Sequence, residues 1–410
     1  MQNDKHIKEK LAYVCRQFRL QGDLILYRWI PTGHINTAYY AALYDGKEVR
    51  QYLVQKINWF VFREPIPMMH NIDLITKTIM DKEPTLERRR RLHFHHTASG
   101  NNYLILREEN GEFHNLEDLP EEERTAALTE TPWETDWEFW RLYNFIENSV
   151  CFQTSEGNEE VLRMSGKAFG KCNRQLEDFD ASQLVESIPH FHDTAYRMNT
   201  FFHIVEADPA GRVKDAEKEI ALIRQYREFA GTLCRQIEAG ELPLRVTHND
   251  TKTNNILFDR DTLDPLVVID LDTCMPGLAC YDFGDTVRFA ACTAEEDQPE
   301  GMRMDLNLFR AYTEGYLLEM KDVLTGAEID SLATGAAVIT LELASRFLGD
   351  YLEGDRYFRI DYPEQNLRRA QAQLVLFQDM MAHMDDMRSI IREAAEKEEE
   401  NIRIYTGRKK

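Results

Sequence analysis

The sequence predicts an α+β fold of two unequal lobes, and three observations carry that prediction. Residues 24–60 alternate apolar and polar side chains in three short runs, as a small antiparallel sheet does. From Glu147 onward helical periodicity dominates. That helical half is interrupted once, between Val246 and Leu271, by a short β-like segment. A sheet-rich part followed by a helical part with one embedded hairpin gives two lobes and a cleft between them. The first covers residues 1–145 and the second 146–410.

The elements follow in order. Strands are expected over 24–27, 38–43 and 52–57, with Asp45-Gly46 supplying the hairpin turn between the last two. Pro65 and Pro67 open a helix over 68–80, where Ile72, Ile75 and Ile79 share a face. Strands return over 103–106 and 140–146. Between them, residues 117–131 with EEER at their centre read as a solvated acidic loop. The second lobe carries helices over 160–178, 183–201, 215–238, 304–323 and 326–349. A last long helix aligns Leu367, Ala370, Leu374, Phe377, Met381 and Met384 on one stripe, which reads as core packing.

Composition limits the function. The 410 residues include 49 Lys+Arg against 71 Asp+Glu, a net charge of −22. A surface this acidic repels a phosphate backbone, so no nucleic-acid partner is expected. The 21 Phe, 17 Tyr and 5 Trp supply a packed core and argue against disorder. The start MQNDKHIKEK lacks the apolar stretch of a signal peptide. The most apolar run, 332–344, is short and contains Glu342, so it reads as a buried helix rather than a membrane span. Seven scattered cysteines without a C-x-x-C pair read as reduced thiols of a cytoplasmic protein.

The β interruption holds the chemistry. It reads RVTHNDTKTNNILFDRDTLDPLVVIDLD over residues 245–272, with strand-like runs at 255–258 and 266–269. Antiparallel pairing of these runs sets Asn255 beside Asp270 at one edge. An amide oxygen and a carboxylate suit Mg²⁺, which keeps positions for water and substrate phosphate. Asp250 lies five residues before Asn255, on a loop that can turn back to the same point. A carboxylate there is placed to accept a hydroxyl proton. Base, metal amide and metal carboxylate are the parts a phosphoryl-transfer site needs.

These residues resemble the catalytic loop of the aminoglycoside phosphotransferase and choline kinase superfamily, which has the protein-kinase-like fold. The superfamily's H-x-D-x4-N matches His248, Asp250 and Asn255, and its I-D-x-D matches Ile269, Asp270 and Asp272. HNDTKTNN, VIDLDTCMPG, YDFGD, GHIN, YLVQKIN, WRLYNFIEN, IPHFHD and GDRYF resemble the bacterial N-acetylhexosamine 1-kinases more narrowly. These pieces span Gly33 to Phe358. The resemblance implies ATP and Mg²⁺, with Asp250 as catalytic base and Asn255 and Asp270 as metal ligands. It also implies a small-molecule sugar acceptor, phosphorylated at its anomeric hydroxyl. Asp282-Phe283-Gly284 spells the protein-kinase metal tripeptide at the wrong position, because the metal carboxylate follows the strand after the catalytic loop. Asp282 and Asp285 are therefore expected to cap backbone groups near that loop or to pair with Arg288, with His248 and Asp272 as further supports.

The nucleotide side has no P-loop and no G-x-G-x-x-G. Gly33, His34 and Asn36 sit between the first two strands, where a kinase-like fold covers the phosphates. Val54 and Lys56 share one face of the third strand. The resemblance implies that Lys56 meets the α/β phosphates, with Asp73 as its candidate helix partner. Asn144, Phe145, Ile146 and Glu147 are expected to form the hinge that binds adenine. On the acceptor side, Arg346, Asp355 and Tyr357 lie in SRFLGDYLEGDRYF, and Arg346 and Tyr357 are the candidate substrate contacts besides Asp250.

Two acceptors compete with a sugar. Choline calls for an aromatic cage, yet all five Trp lie in the first 140 residues, which leaves Tyr351, Tyr357 and Tyr362 to form one. A polycationic aminoglycoside is compatible with the acidic charge. A metal-dependent phosphohydrolase is disfavoured because its two-metal sites use several histidines, and only His248 is near the motif. A catalytically dead relative is disfavoured by the complete set Asp250, Asn255, Asp270 and Lys56.

Overall fold

The computed structural model describes residues 2–31, 35–129, 135–154 and 157–397. They divide into two compact units, Met1–Glu147 and Asn148–Lys410.

The first unit is a six-stranded antiparallel sheet with one helix on each face. Its strands are β1 (Asp23–Ile30), β2 (Thr37–Tyr44), β3 (Val49–Ile57), β4 (Leu104–Glu109), β5 (Glu112–Asn115) and β6 (Glu138–Asn144). Their order is β1-β2-β3-β6-β4-β5, so β6 leaves its sequence neighbours to pair with β3. The register sets Lys56 opposite Trp140 and Tyr52 opposite Asn144.

Helix α1 (Gln2–Gln17) covers one face. Leu11, Val14, Cys15 and Phe18 are buried against Leu24, Leu43, Tyr52, Val54, Trp140 and Leu142. The i, i+3, i+4, i+7 spacing of those four side chains is the ordinary helical signal. Burying each is worth about 1.5–3 kcal/mol, which docks an otherwise charged helix. Helix α2 (Pro65–Lys82) lies on the other face: Arg141, between the α1-facing Trp140 and Leu142, points its Nη1 to 3.9 Å from Met69 Sδ.

Residues 121–129, expected as loop, form helix α3 (Glu121–Thr129). Glu121, Glu122 and Glu123 fill its first turn, where carboxylates complement the helix dipole. The same charge that reads as solvated loop is a helix-start signal.

The second unit is mainly helical. Its helices are α4 (Glu159–Gln175), α5 (Thr194–Ala207), α6 (Glu217–Gln225), α7 (Arg227–Ala230), α8 (Thr232–Glu238), α9 (Ala279–Ala290), α10 (Leu306–Met320), α11 (Gly326–Leu352), α12 (Gln365–Ala382) and α13 (Met384–Glu396). Three expected helices differ, one of them the last long helix, which breaks at His383 and leaves Met384 on α13. The 183–201 helix begins only at Thr194, where the Asp193 carboxylate accepts from Tyr196 N at 3.0 Å; IPHFHD upstream is loop. The 215–238 helix breaks at Tyr226 and Gly231 into three pieces.

Gly166 of α4 has a packing role. A Cβ on Gly166 would sit 2.3 Å from Tyr312 O, and one on Gly315 2.0 Å from Arg163 O, so α4 and α10 cross backbone to backbone. Helix α11 is the one helix among the described residues long and apolar enough to span a membrane, and 83% of its apolar window is buried inside the protein.

Two small sheets complete the unit. β7 (Ser149–Val150), β9 (Ile256–Asp259) and β10 (Pro265–Val268) form one sheet in the order β10-β9-β7, and β8 (Arg245–Thr247) pairs with β11 (Met275–Gly277).

Candidate active site

The loop from His248 to Asn255 is fixed by side chains that take over its backbone hydrogen bonds. Such a loop between two short strands has no ladder of its own, and its buried N–H groups must find partners elsewhere. The Asp282 carboxylate, on α9, accepts from His248 N and Asn249 N, both at 2.8 Å. Asp285, one turn further along α9, accepts from Thr251 N at 2.9 Å and from Arg288 Nη2 at 2.7 Å. Thr273 Oγ1 donates to His248 O at 2.7 Å, and Thr251 Oγ1 to Asp282 O at 2.6 Å. Asp282 and Asp285 thus do both things expected of them, capping the loop and pairing with Arg288.

The His248 ring closes the frame. Its Nε2 is 2.9 Å from Ile269 O, and its Nδ1 is 3.3 Å from Asp250 N. Those partners, a carbonyl and an amide N–H, select the neutral ring with the proton on Nε2. One imidazole therefore ties the Asp250 backbone to the end of β10.

Ile269 N donates to Asn255 O at 2.9 Å, and Val268 pairs with Ile256, so Asn255 and Asp270 are neighbours at one edge of the hairpin. Asp270 turns the chain with φ 62°. Asn255 Nδ2 donates to Asp250 O at 2.8 Å and to Asp250 Oδ2 at 3.1 Å. That fixes the amide's nitrogen toward Asp250, so Oδ1 is the end that can serve a cation. With the Asp270 carboxylate this is a hard-oxygen donor pair that fits Mg²⁺ sharing phosphate ligands. Among the described residues there is no group of three His, Cys, Asp or Glu side chains that could hold a metal ion. Asp272 is buried in the following turn, Leu271–Thr273.

Asp250 has a partner that the sequence reading passed over. Lys252 Nζ lies 2.8 Å from Asp250 Oδ1. Burial alone would raise the Asp250 pKa; the Lys252 ammonium, with the hydrogen bond from Asn255, outweighs it and holds the carboxyl below its ordinary value. In turn Asp250 raises the Lys252 pKa. The spacing of two residues was the available signal for this pair.

A second group lies beside the loop. His192 Nδ1 is 2.9 Å from the buried Glu342 of α11, and its Nε2 is 3.4 Å from Asn249 O. The Arg346 guanidinium stands over the rings of Phe191 at 5.2 Å and Phe358 at 5.7 Å. Arg197 is half-buried, and burial followed by the charge of Arg346 lowers its pKa. Tyr357 is 65% exposed. Asp355 is turned inward, 2.6 Å from Arg212, and is a structural residue rather than a contact for an acceptor. IPHFHD, noted only as a motif, was the signal for Phe191 and His192.

The first unit departs from expectation in three ways. Lys56 pairs with Glu138 of β6 at 2.8 Å, while Asp73 binds His96 at 3.0 Å. Alternation puts Lys56 on the α1 face, opposite α2, so no carboxylate of α2 can be its partner; Gln55, which faces the α2 side, accepts instead from Arg141 Nε at 2.9 Å. Val54 is wholly enclosed beneath α1 and offers no surface to a nucleotide. Asn144 N and Phe145 N already donate to His93 O at 3.2 Å and Gln51 O at 3.1 Å. Asn36 Oδ1 accepts from Asn58 N at 2.9 Å, and Gly33 and His34 lie outside the described residues. Ile146 is buried, and the Glu147 carboxylate accepts from Gln51 Nε2 at 2.7 Å.

This site on this α+β scaffold defines a phosphotransferase with the protein-kinase-like fold. The family model described as the phosphotransferase enzyme family matches residues 106–320, just over half of the 410 residues, and the chain belongs to that family. Two solved structures have similar folds. A microcompartment-associated aminopropanol kinase is 13% identical with a TM-score of 0.54, the match covering 92% of this chain and 98% of that one. The choline kinase of Cryptosporidium parvum Iowa II is 12% identical with a TM-score of 0.51, over 95% of this chain and 99% of that one. The protein is a small-molecule phosphotransferase that acts on an alcohol group.

Proposed function

We propose that the protein transfers the γ-phosphoryl group of ATP to a neutral sugar, an N-acetylhexosamine at its anomeric hydroxyl. The observation that carries the choice of acceptor is the pair Arg197 and Arg346 beside the catalytic loop. An amino alcohol, such as the substrates for which the two similar structures are named, is a cation and meets two guanidinium groups there against the single buried carboxylate of Glu342. A polycationic aminoglycoside does so with more positive charge. The rings that could cage a quaternary ammonium, Phe191 and Phe358, already face the Arg346 guanidinium. A neutral N-acetylated sugar instead offers hydroxyl and carbonyl oxygens that an arginine can donate to, and an apolar ring face that suits Tyr357.

In this reading Asp250, kept ionised by Lys252, accepts the proton of the attacking hydroxyl. The acceptor oxygen forms its bond to the γ-phosphorus as the bond to the β-bridging oxygen breaks, and ADP leaves. Asn255 and Asp270 would hold Mg²⁺, which supplies charge neutralisation on the phosphate oxygens when bound. Base catalysis typically contributes ~10²–10⁴ in rate. The greater part comes from positioning and electrostatics, which explains why the loop is held so completely. The segments 33–36 and 146–147 are the proposed nucleotide contacts of the first unit.

The test is an ADP-release screen against N-acetylhexosamines, other free sugars, choline, ethanolamine and aminoglycosides. Turnover on N-acetylhexosamines is expected. Turnover on a cationic acceptor, with none on any sugar, sinks the sugar reading and leaves the phosphotransferase assignment standing.

A further inference from the structure

Tyr357 is an exposed aromatic ring on a backbone that cannot move freely. Helix α11 ends in a reversal in which Gly354 and Asp355 both take positive φ, 90° and 60°. Glu353 N, Gly354 N and Asp355 N all return to carbonyls of the last helical turn, the last to Asp350 O at 2.8 Å. The next three N–H groups converge on one buried side chain. Asp350 Oδ1 accepts from Arg356 N at 2.9 Å and Tyr357 N at 2.8 Å, and Oδ2 accepts from Phe358 N at 2.9 Å. Asn366 Nδ2 adds a fourth bond to Oδ2 at 2.9 Å and a further one to Asp355 Oδ1 at 3.0 Å. Arg212 Nη1 then clamps Asp355 Oδ2 at 2.6 Å and Tyr351 O at 2.8 Å.

Six successive N–H groups are thus satisfied inside the protein, while the Tyr357 ring is left 65% exposed. Buried N–H groups need partners in any turn, but here four bonds converge on one carboxylate, so the turn depends on a single side chain. A backbone held this way keeps the side chain it carries in one place, as a binding site requires of its supporting residues. The neighbours of that ring are Phe358, edge-on at 4.8 Å, and through it Arg346.

We infer that Asp350 is a positioning residue for the acceptor: its carboxylate fixes the turn that holds the Tyr357 ring out as a wall for a pyranose face. The inference rests on Arg346 and Tyr357 being the acceptor side. A rigid ring loses little entropy when a sugar stacks on it, so fixing the turn lowers the acceptor's KM. Nothing in the arrangement touches the nucleotide or the transferring phosphoryl group.

The experiment is a double-mutant cycle on the full chain, with N-acetylglucosamine as acceptor. Asp350→Asn is expected to raise the acceptor KM about tenfold, with the KM for ATP and kcat within about twofold. Tyr357→Ala is expected to raise the acceptor KM by a similar factor. In the Tyr357→Ala background Asp350→Asn should add less than twofold, because its effect runs through that ring. Two effects that multiply, an unchanged acceptor KM in Asp350→Asn, or equal losses in both KM values and kcat overturn the inference. If Asp350→Asn does not fold, Arg212→Gln takes its place in the cycle, with the same signs expected and the same results overturning it. An acceptor KM unchanged by Tyr357→Ala, or no turnover on any sugar, refutes instead the reading beneath it.

Discussion

The two units hold their polar residues by opposite means. In the second unit the catalytic loop is locked by short-range side-chain caps. Asp282, Asp285 and Thr273 each take backbone groups of a segment only some 25–35 residues away, and His248 takes the Asp250 N–H two residues on. In the first unit the corresponding residues are held by strand register. Lys56 meets Glu138 because β6 crosses back to pair with β3, and Gln55 meets Arg141 for the same reason. A capped loop carries its geometry in a compact motif, whereas a ladder carries it in pairings between distant segments.

Asp250→Asn probes the capped side most directly. The amide keeps the contact with Asn255 but cannot accept the acceptor proton. Turnover is expected to fall by ~10²–10⁴ or more, with ATP affinity, measured by calorimetry, within a few-fold of wild type. Near-full turnover would remove Asp250 as the base.

Asp282→Ala removes a cap without touching substrate. It leaves His248 N and Asn249 N buried and unpaired, at about 1–3 kcal/mol each. The expected outcome is a clear drop in the denaturant midpoint and a large loss of kcat, since Asp250 follows those two residues directly. Unchanged stability would mean that the loop is held by its other bonds and that the cap is redundant.

The same contrast accounts for what was legible in the sequence. HNDTKTNN and VIDLD identify the loop because the residues that build it lie close together in the chain, and the hairpin register then brings Asn255 beside Asp270. YDFGD was readable as a cap for the same reason: α9 begins a few residues after β11. The partner of Lys56 was not readable, because it depends on which strand β3 chooses, and β6 lies more than 80 residues on. Helix α1 was passed over even though Leu11, Val14, Cys15 and Phe18 carry its pattern; its many charges obscured the stripe. The EEER segment was misread because charge at a helix start and charge in a loop look alike without the dipole argument. Lys252 shows that a motif can be found while one of its members is overlooked.

Lys252→Met tests that overlooked member through pH. Asp250 must be ionised to act, and its pKa lies below the ordinary carboxylate value of ~3.9 because Lys252 opposes the effect of burial. The acid limb of kcat/KM is therefore expected below that value in the wild type. Removing the ammonium leaves burial less opposed, so the Asp250 pKa rises and the limb moves to higher pH. Activity at pH 5 relative to pH 8 should fall in the variant. A limb that stays in place would show that Lys252 does not set the charge state of the base.

Lys56→Met carries the smallest expected effect, and it divides the two units most sharply. The Lys56 side chain is 41% exposed and that of Glu138 20%, so the pair is worth roughly 0–1 kcal/mol. Glu138 also keeps Lys10 at 3.2 Å and Trp140 Nε1 at 3.0 Å when Lys56 is gone. Stability should therefore change by less than about 1 kcal/mol. Because Lys56 lies on the α1 face, opposite α2, the KM for ATP should stay within about twofold. If ATP titrations of ADP release gave instead a hundredfold loss, the ammonium would have to leave Glu138 for the phosphates during turnover. The strand lysine would then hold the role the sequence predicts for it, and register would set only its resting partner.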